Sequence, residues 1–430
     1  MRWEHDVLVV GGGAAGLAAS DELARAGLRV ALLEARDRLG GRVETVRDRR
    51  AGLTIELGAE FVHGRPPAVL DLAAKLGLKV SPVAEAAYRR EGGVWIPERD
   101  YWRPLDSLFS RLRSRGHDRS MERFLSEHSR GAREREAARR ARMFVEGFHA
   151  ADVSRMSEFG LAALFKRAGG ALETSRRVDE GYAALLRPWT ARGAFLETIV
   201  TELHWRPGHA RAVTRGPEGR SRVFEAPAAV ITLPLGVLKA RPGFLGTVRF
   251  VPDIAAHRAA AEKLEMGAAL RVSLKFQRAF WPQDAAFLIR EEQPFAVWWT
   301  ARPRGAALLT GWTGGPAAAA LSRQGKRAVL DAALGALARL CGLPLGEVTD
   351  LLETWYFHDW LDDPFSRGAY SYAAVGGAGA HAELAKPEAN TLFFAGEATD
   401  FEGQNATVAG AIASGRRAAR EVLPAVAAAR

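Results

Sequence analysis

The run Asp6-Val-Leu-Val-Val10 leads directly into Gly11-Gly-Gly-Ala-Ala-Gly16, and this junction constrains the fold more than any other feature of the chain. A short β-branched run of this kind forms a strand buried on both faces. The glycines fall at G-x-G-x-x-G: Gly11 permits the tight turn, Gly13 lets backbone approach a pyrophosphate, and Gly16 lets the following helix pack closely on its strand. Ala14, Ala15 and Gly16 open that helix, whose N-terminus holds phosphate. Leu17–Ala26 is helix-forming, Gly27 caps it, and Arg29-Val-Ala-Leu-Leu33 reads as a second buried strand ending in Glu34. Glu34 stands 18 residues after Gly16, where a carboxylate accepts hydrogen bonds from ribose hydroxyls and repels a 2′-phosphate. Together these features predict a dinucleotide-binding unit that suits NAD or FAD.

The next segment separates the two cofactors. Ala35-Arg36 is followed by Leu39-Gly40-Gly41-Arg42-Val43, and later by Glu56-Leu-Gly58-Ala59-Glu60-Phe61-Val-His63-Gly64. An NAD domain has no need of a second glycine-arginine turn just after the acid. An FAD domain does, because its longer cofactor must thread an isoalloxazine end past more backbone.

With these motifs the chain resembles the flavin-containing amine oxidase family, which includes monoamine oxidases, polyamine oxidases and flavin-dependent histone lysine demethylases. The likeness covers about 1–65, 200–282 and 353–420. Asn390-Thr-Leu-Phe-Phe-Ala-Gly396-Glu397-Ala-Thr399, followed by Ala406-Thr407-Val408-Ala-Gly-Ala411 and Ser414-Gly415, is similar to the family's second flavin-binding signature. That resemblance implies a strand ending at Gly396-Glu397 and a helix beginning near Thr407, its positive N-terminus facing the flavin's electron-rich edge. Ala228–Leu238 resembles the strand and turn that return to the FAD domain. Leu203 falls where the family places an apolar backbone contact to the adenine end.

The resemblance also implies a substrate site. In Trp360-Leu-Asp-Asp-Pro-Phe-Ser-Arg-Gly-Ala-Tyr370-Ser-Tyr372, the tryptophan lies near the flavin and Tyr370 forms one wall of an amine cage. Such a wall attracts residual positive charge while its apolar surface favours the neutral amine. Thr407 stands where monoamine oxidases carry the second cage tyrosine, so the pocket is expected to be half-caged. His63 matches a histidine of animal polyamine oxidases, and Glu60 beside it either binds the ribityl side of the cofactor or attracts a cationic substrate. The family's lysine, which holds a water against flavin N5, aligns with Arg271. Lys275 is four residues on and two pleats away, too far to substitute. Arginine is a permanently charged planar fork and no equivalent of lysine. It implies slow reaction with oxygen, electron transfer to another acceptor, or recognition of an acidic substrate group. With Ala406 before Thr407 and no cysteine near Gly396 or Tyr370, the FAD is expected to be non-covalent.

At 430 residues the chain has length for two or three lobes. The expected architecture is α/β: a discontinuous Rossmann-like FAD-binding domain from 1–80, 198–243 and 385–430, and a mixed α+β substrate-binding domain from 81–197 and 244–384. Strands are expected at Arg271–Phe276, Phe295–Thr300 and Ala307–Thr313, with Trp298, Trp299 and Trp312 in a sheet core, and short linkers at Arg215–Arg220 and Gly314–Ala320. The single cysteine, Cys341, excludes an intrachain disulfide framework, reads as a core thiol and fits a reducing compartment. The net charge of +10 comes mostly from arginine. Its densest run, Arg130–Arg142, is broken by Glu134 and Glu136 and reads as a solvated helix face, not a nucleic-acid stripe. No apolar run approaches the ~20 residues that span a bilayer, so neither nucleic acid nor membrane is an expected partner and the cytoplasm is the expected location. Neither a serine triad, a metal cluster nor a paired carboxylate is evident.

The expected function is therefore FAD-dependent oxidation of a C–N bond in an amine or polyamine. A neutral nitrogen assists hydride loss to flavin N5, water hydrolyses the imine, and oxygen or another acceptor reoxidises the flavin, with Arg271, Tyr370, Trp360, His63 and Thr407 as the residues around the reacting atoms. The nearer alternative is an FAD-dependent desaturase or dehydrogenase of the same fold acting on a non-amine apolar substrate. The more distant is a binding protein that keeps FAD as a structural element.

Overall fold

The computed structural model describes residues 3–84, 86–98, 103–167, 175–189, 193–292, 294–301 and 306–429. The elements that position the site are β1 (Val7–Val10), α1 (Ala14–Arg25), β2 (Val30–Leu33), β3 (Phe61–His63), α2 (Ala132–Phe148), β4 (Ser175–Val178), β5 (Ala194–Phe195), β6 (Ala228–Ile231), β7 (Ala269–Phe276), β8 (Val297–Thr300), β9 (Leu308–Gly314), α3 (Lys326–Cys341), β10 (Leu392–Phe394) and α4 (Val408–Ala429).

The apolar runs of β1, β2, β6 and β10 lack polar alternation because both of their faces are covered. They form a five-stranded parallel sheet in the order β5-β2-β1-β6-β10. One face packs on α1 and α4. The other packs on a four-stranded sheet that includes Ile199–Arg206, His209–Arg215 and Ser221–Ala226. α1 follows β1 and α4 follows β10, so both helices start at the carboxyl edge of the sheet, where ligands bind in folds of this class.

The division between lobes differs from expectation in one stretch. β5 joins the parallel sheet before residue 198, and Val178, Tyr182, Leu185 and Trp189 are buried in the same core as α1. Residues 175–189 and 193–197 thus belong to the nucleotide-binding body. The apolar stripe of the 3₁₀ segment Tyr182–Trp189 is covered there, which a local pattern does not reveal.

The second lobe is built on a seven-stranded sheet ordered Leu352–Phe357, β7, β9, β8, Phe287–Ile289, Ala87–Glu91, Val94–Glu98. Alternation divides its residues. Leu270, Val272, Leu274 and Trp298 pack on α3 and its buried Cys341, whose thiol burial pushes up to about 12. The opposite face carries Arg271, Ser273, Thr310, Trp312 and Trp299, matched by the pairs Arg271↔Trp312, Ser273↔Thr310 and Trp299↔Thr310. Trp298 and Trp299 are both buried but on opposite faces, and Trp312 lies half-buried on the face of Trp299. Gly314–Ala320 is not a linker either, since Gly315–Ser322 is helical. The arginines of α2 form ion pairs along its surface, including Arg139 and Arg140 with Glu136 at 2.6 and 2.9 Å. Among the described residues, no single helix is long and apolar enough to cross a membrane, and no acidic, His or Cys cluster could hold a metal ion.

Candidate active site

The first glycine turn is shaped by close backbone approach. A Cβ on Gly16 would lie 1.9 Å from the Gly11 carbonyl oxygen, so α1 can start against the turn only with glycine there. No side chain caps α1 at Gly13, leaving the amides of Ala14, Ala15 and Gly16 available to an anion. The second turn lies against the first: the Gly40 amide donates to the Gly12 carbonyl at 2.8 Å, and a Cβ on Gly41, at φ +58°, would come 3.2 Å from Gly13 Cα. Glu34 is buried beside them, accepting from the amides of Gly12 at 2.6 Å and Arg36 at 2.8 Å. Two backbone-lined turns, a bare helix start and one buried carboxylate fit the adenosine diphosphate part of FAD.

Leu203 does not belong to this group. The Glu34 amide donates to Phe195 O at 2.9 Å, and the Thr198 amide to Glu34 O at 2.8 Å, so the segment bordering Glu34 is Phe195–Thr198. Leu203 lies further on, fully buried, with its backbone paired to Ala212 on one side and Phe250 on the other. The reason is that β5 ends after two residues, and the chain crosses to the four-stranded sheet before it reaches Leu203.

Two ion pairs tie these turns to distant segments. Arg36 donates to Asp363 at 2.7 Å and to Ser366 at 3.0 Å, and its guanidinium lies 5.9 Å from the Trp360 ring. Burial pushes the Asp363 carboxyl up, but His358 and Arg36 outweigh it and hold it at about 2. Trp360 donates through Nε1 to Leu57 O at 2.8 Å, beside Gly58 and Ala59. Arg42 donates to Ala369 O and, at 3.1 Å, to Glu397. Glu397 is buried next to Gly396 and also accepts from Ser371 Oγ at 2.6 Å and the Ala406 amide at 3.1 Å. The two signatures and the Trp360–Tyr370 segment are thus brought together. Thr407 is a helix cap: its hydroxyl accepts from the Gly410 amide at 3.0 Å and donates to Gln404 O at 2.6 Å, ahead of Val408 and Ala411 in the first turn of α4.

Glu60 is the centre of a second cluster. It accepts from Arg271 Nη2 at 2.5 Å and Trp299 Nε1 at 2.9 Å, and pairs with Arg177 at 2.5 Å. Burial pushes its carboxyl up, yet the two guanidiniums hold it below the usual range. Arg271 also donates to Gly58 O at 3.1 Å and lies over the Trp299 ring. Glu60 is thus shared by two guanidiniums and is not left free for a cationic substrate, while the cluster keeps a net positive charge. Arg271 Nε is buried without a protein acceptor, a donor that suits a cofactor atom or water. The sequence reading missed Arg177; it arrives through the β3–β4 pairing Phe61↔Arg177, which no local motif signals.

An aromatic enclosure adjoins this cluster. Tyr370 donates its hydroxyl to Phe148 O at 2.5 Å, and the Phe148 ring meets those of His63 and His149 edge-on at 5.0 and 5.2 Å. Phe61 meets Trp299 at 5.3 Å, and Trp312 donates through Nε1 to Gly147 O at 2.8 Å. His63 shares a 3.2 Å hydrogen bond with Ser175. Burial holds both His63 and His149 down to about 4, so both are neutral at pH 7. Phe148 and His149 escaped the sequence reading because they lie at the far end of a helix recognised only by its charged face.

The model of the flavin containing amine oxidoreductase family matches residues 14–423. The chain is 30% identical to lysine-specific histone demethylase 1 homolog 2 of Oryza sativa subsp. japonica across 98% of this chain, and spans 57% of that relative's length. It is 27% identical to polyamine oxidase 2 of Arabidopsis thaliana, covering 96% of this chain and 87% of the other. A redesigned putrescine oxidase superposes with a TM-score of 0.80 at 20% identity, over 98% of this chain and 99% of that one, a likeness of fold.

Proposed function

Because the chain belongs to the flavin-containing amine oxidoreductase family, and is therefore an FAD-dependent oxidoreductase, we propose that it oxidises a C–N bond of a small amine. The two glycine turns, Glu34, Trp360 and the Gly396–Ala411 segment would hold FAD non-covalently, and FAD bound there would supply the hydride acceptor. The chain's own residues do the rest. The aromatic faces of Tyr370 and Phe148 orient the amine and exclude water, and apolar surroundings favour the neutral nitrogen whose lone pair assists oxidation. The neutral imidazoles of His63 and His149 add no charge that would repel an amine. Glu60 fixes Arg271 against Gly58 O, placing a permanent positive charge beside the reacting centre without mobile protons. The product imine is hydrolysed by water, and oxygen or another acceptor completes the cycle.

One observation carries this reading: the Tyr370–Phe148–His63 enclosure directly follows, along β3, the Gly58–Glu60 backbone that meets Trp360 and Arg271. A desaturase of the same fold needs no such enclosure. Polyamines are within the proposed substrate class, as is a reducing, cytoplasmic compartment, supported by the single buried Cys341.

The test is product analysis. The FAD-loaded protein is incubated in air with benzylamine, butylamine and 1,4-diaminobutane separately, and carbonyl compound and released ammonia are measured. Equal amounts of the two products from any of these amines are expected. Neither product from any amine, with turnover of an apolar hydrocarbon instead, overturns the reading.

A further inference from the structure

The end of α2 is pinned by two aromatic residues of the enclosure. Gly147 O accepts from Trp312 and Phe148 O from Tyr370, and Ala150, at φ +52°, turns the chain away. This leaves Phe148 46% exposed although rings adjoin it: it stacks on Phe144 at 5.0 Å and 9°, and meets His63 and His149 edge-on. Nearly half of Phe148 is thus left open beside these rings.

The polar atoms beside that ring include the imidazole nitrogens, and each neutral imidazole offers one acceptor and one N–H. His63 engages Ser175 through Nδ1, which leaves Nε2. His149 is the C-cap residue of α2, and among the described residues neither of its ring nitrogens has a protein hydrogen bond. The last turn of a helix also carries partial negative charge. The nearby carboxylates are committed, Glu146 to Arg142 at 3.5 Å and Glu60 to its arginines. Neutral acceptors, an aromatic face and a helix C-terminus together favour a group that donates hydrogen bonds and bears positive charge.

We infer that His149 is a specificity-determining residue: beside Phe148, it accepts a hydrogen bond from a second amino group of the substrate while the reacting nitrogen lies at the Tyr370 wall. The inference rests on the amine-oxidising reading and deepens it, for it selects diamines over monoamines of equal length. The binding comes from neutral acceptors, not from a carboxylate, so a second ammonium is recognised without being trapped.

The test compares 1,5-diaminopentane with pentylamine in the FAD-loaded protein, as wild type, His149→Phe and His149→Gln. Wild type is expected to prefer the diamine by about 10-fold in kcat/KM, the worth of one hydrogen bond to a charged group. His149→Phe, which keeps the ring packing, should lose that preference through a higher KM for the diamine, and His149→Gln should restore part of it. A wild type with no preference, or a His149→Phe variant in which KM rises equally for both substrates, overturns the inference and leaves amine oxidation standing. Failure of both amines to reduce the flavin overturns the amine reading and this inference with it.

Discussion

Arg271 and Glu60 meet at 2.5 Å, Nη2 to Oε2, with both side chains buried and Arg177 closing on the second carboxylate oxygen at 2.5 Å. One carboxylate thus serves two guanidiniums, and removal of either type of partner has unequal consequences. Glu60→Gln leaves two buried cations without a counter-charge and should cost ~3–5 kcal/mol of folding stability. Arg271→Met leaves the Arg177–Glu60 pair intact and should cost less. A double-mutant cycle in urea should return a coupling energy well above 0.5 kcal/mol; additive losses would show that the contact does not couple the two residues.

Acid should weaken the enclosure before the rest of the fold. His63 and His149 are held at about 4 in the folded protein by burial, against about 6.5 in an unfolded chain. The unfolded state therefore binds more protons between those values, so stability is fully present above pH 6.5 and is lost as pH falls towards 4. Urea denaturation across that window should show the slope. The double variant His63→Gln/His149→Gln should flatten it, and an unchanged slope would place the titrating groups elsewhere.

The glycine turns predict a contrast between two alanine substitutions. Gly16→Ala drives a methyl to within 1.9 Å of Gly11 O, whereas at Gly27, φ +79°, a Cβ meets nothing within 4 Å. Gly16→Ala should purify folded with far less than one FAD per chain, by the ratio of flavin to protein absorbance. Gly27→Ala should cost only ~1 kcal/mol of backbone strain and keep its flavin.

Thr407 is expected to act through the helix it caps. Thr407→Val should lower stability by about 1 kcal/mol, with Thr407→Ser restoring it. A change in amine KM at full FAD occupancy and unaltered stability would instead return Thr407 to the substrate wall.

What the sequence made legible was local and imposed by backbone: the Gly11–Gly16 and Gly40–Arg42 turns, Glu34 at a fixed spacing, and the Gly396–Ala411 signature all encode close approach or a helix start within a few residues. Side chains delivered by long-range pairing were not legible. Arg177 reaches Glu60 only because β4 lies against β3, and His149 enters because Trp312 and Tyr370 hold the end of α2. Leu203 was misplaced because nothing local marks where the chain leaves one sheet for another. Trp298 and Trp299 show the same limit at the scale of two residues, since pleating sends one into the core and its neighbour to the Glu60 cluster.

The central claim is amine oxidation, and its most direct measurement is anaerobic. The oxidised, FAD-loaded protein is mixed rapidly with monoamines and diamines, and the visible flavin absorbance is followed with time. The account predicts saturable bleaching by at least one amine, fastest at pH values where more of the amine is neutral. Flavin that stays oxidised with every amine, while dithionite reduces it normally, would contradict the account.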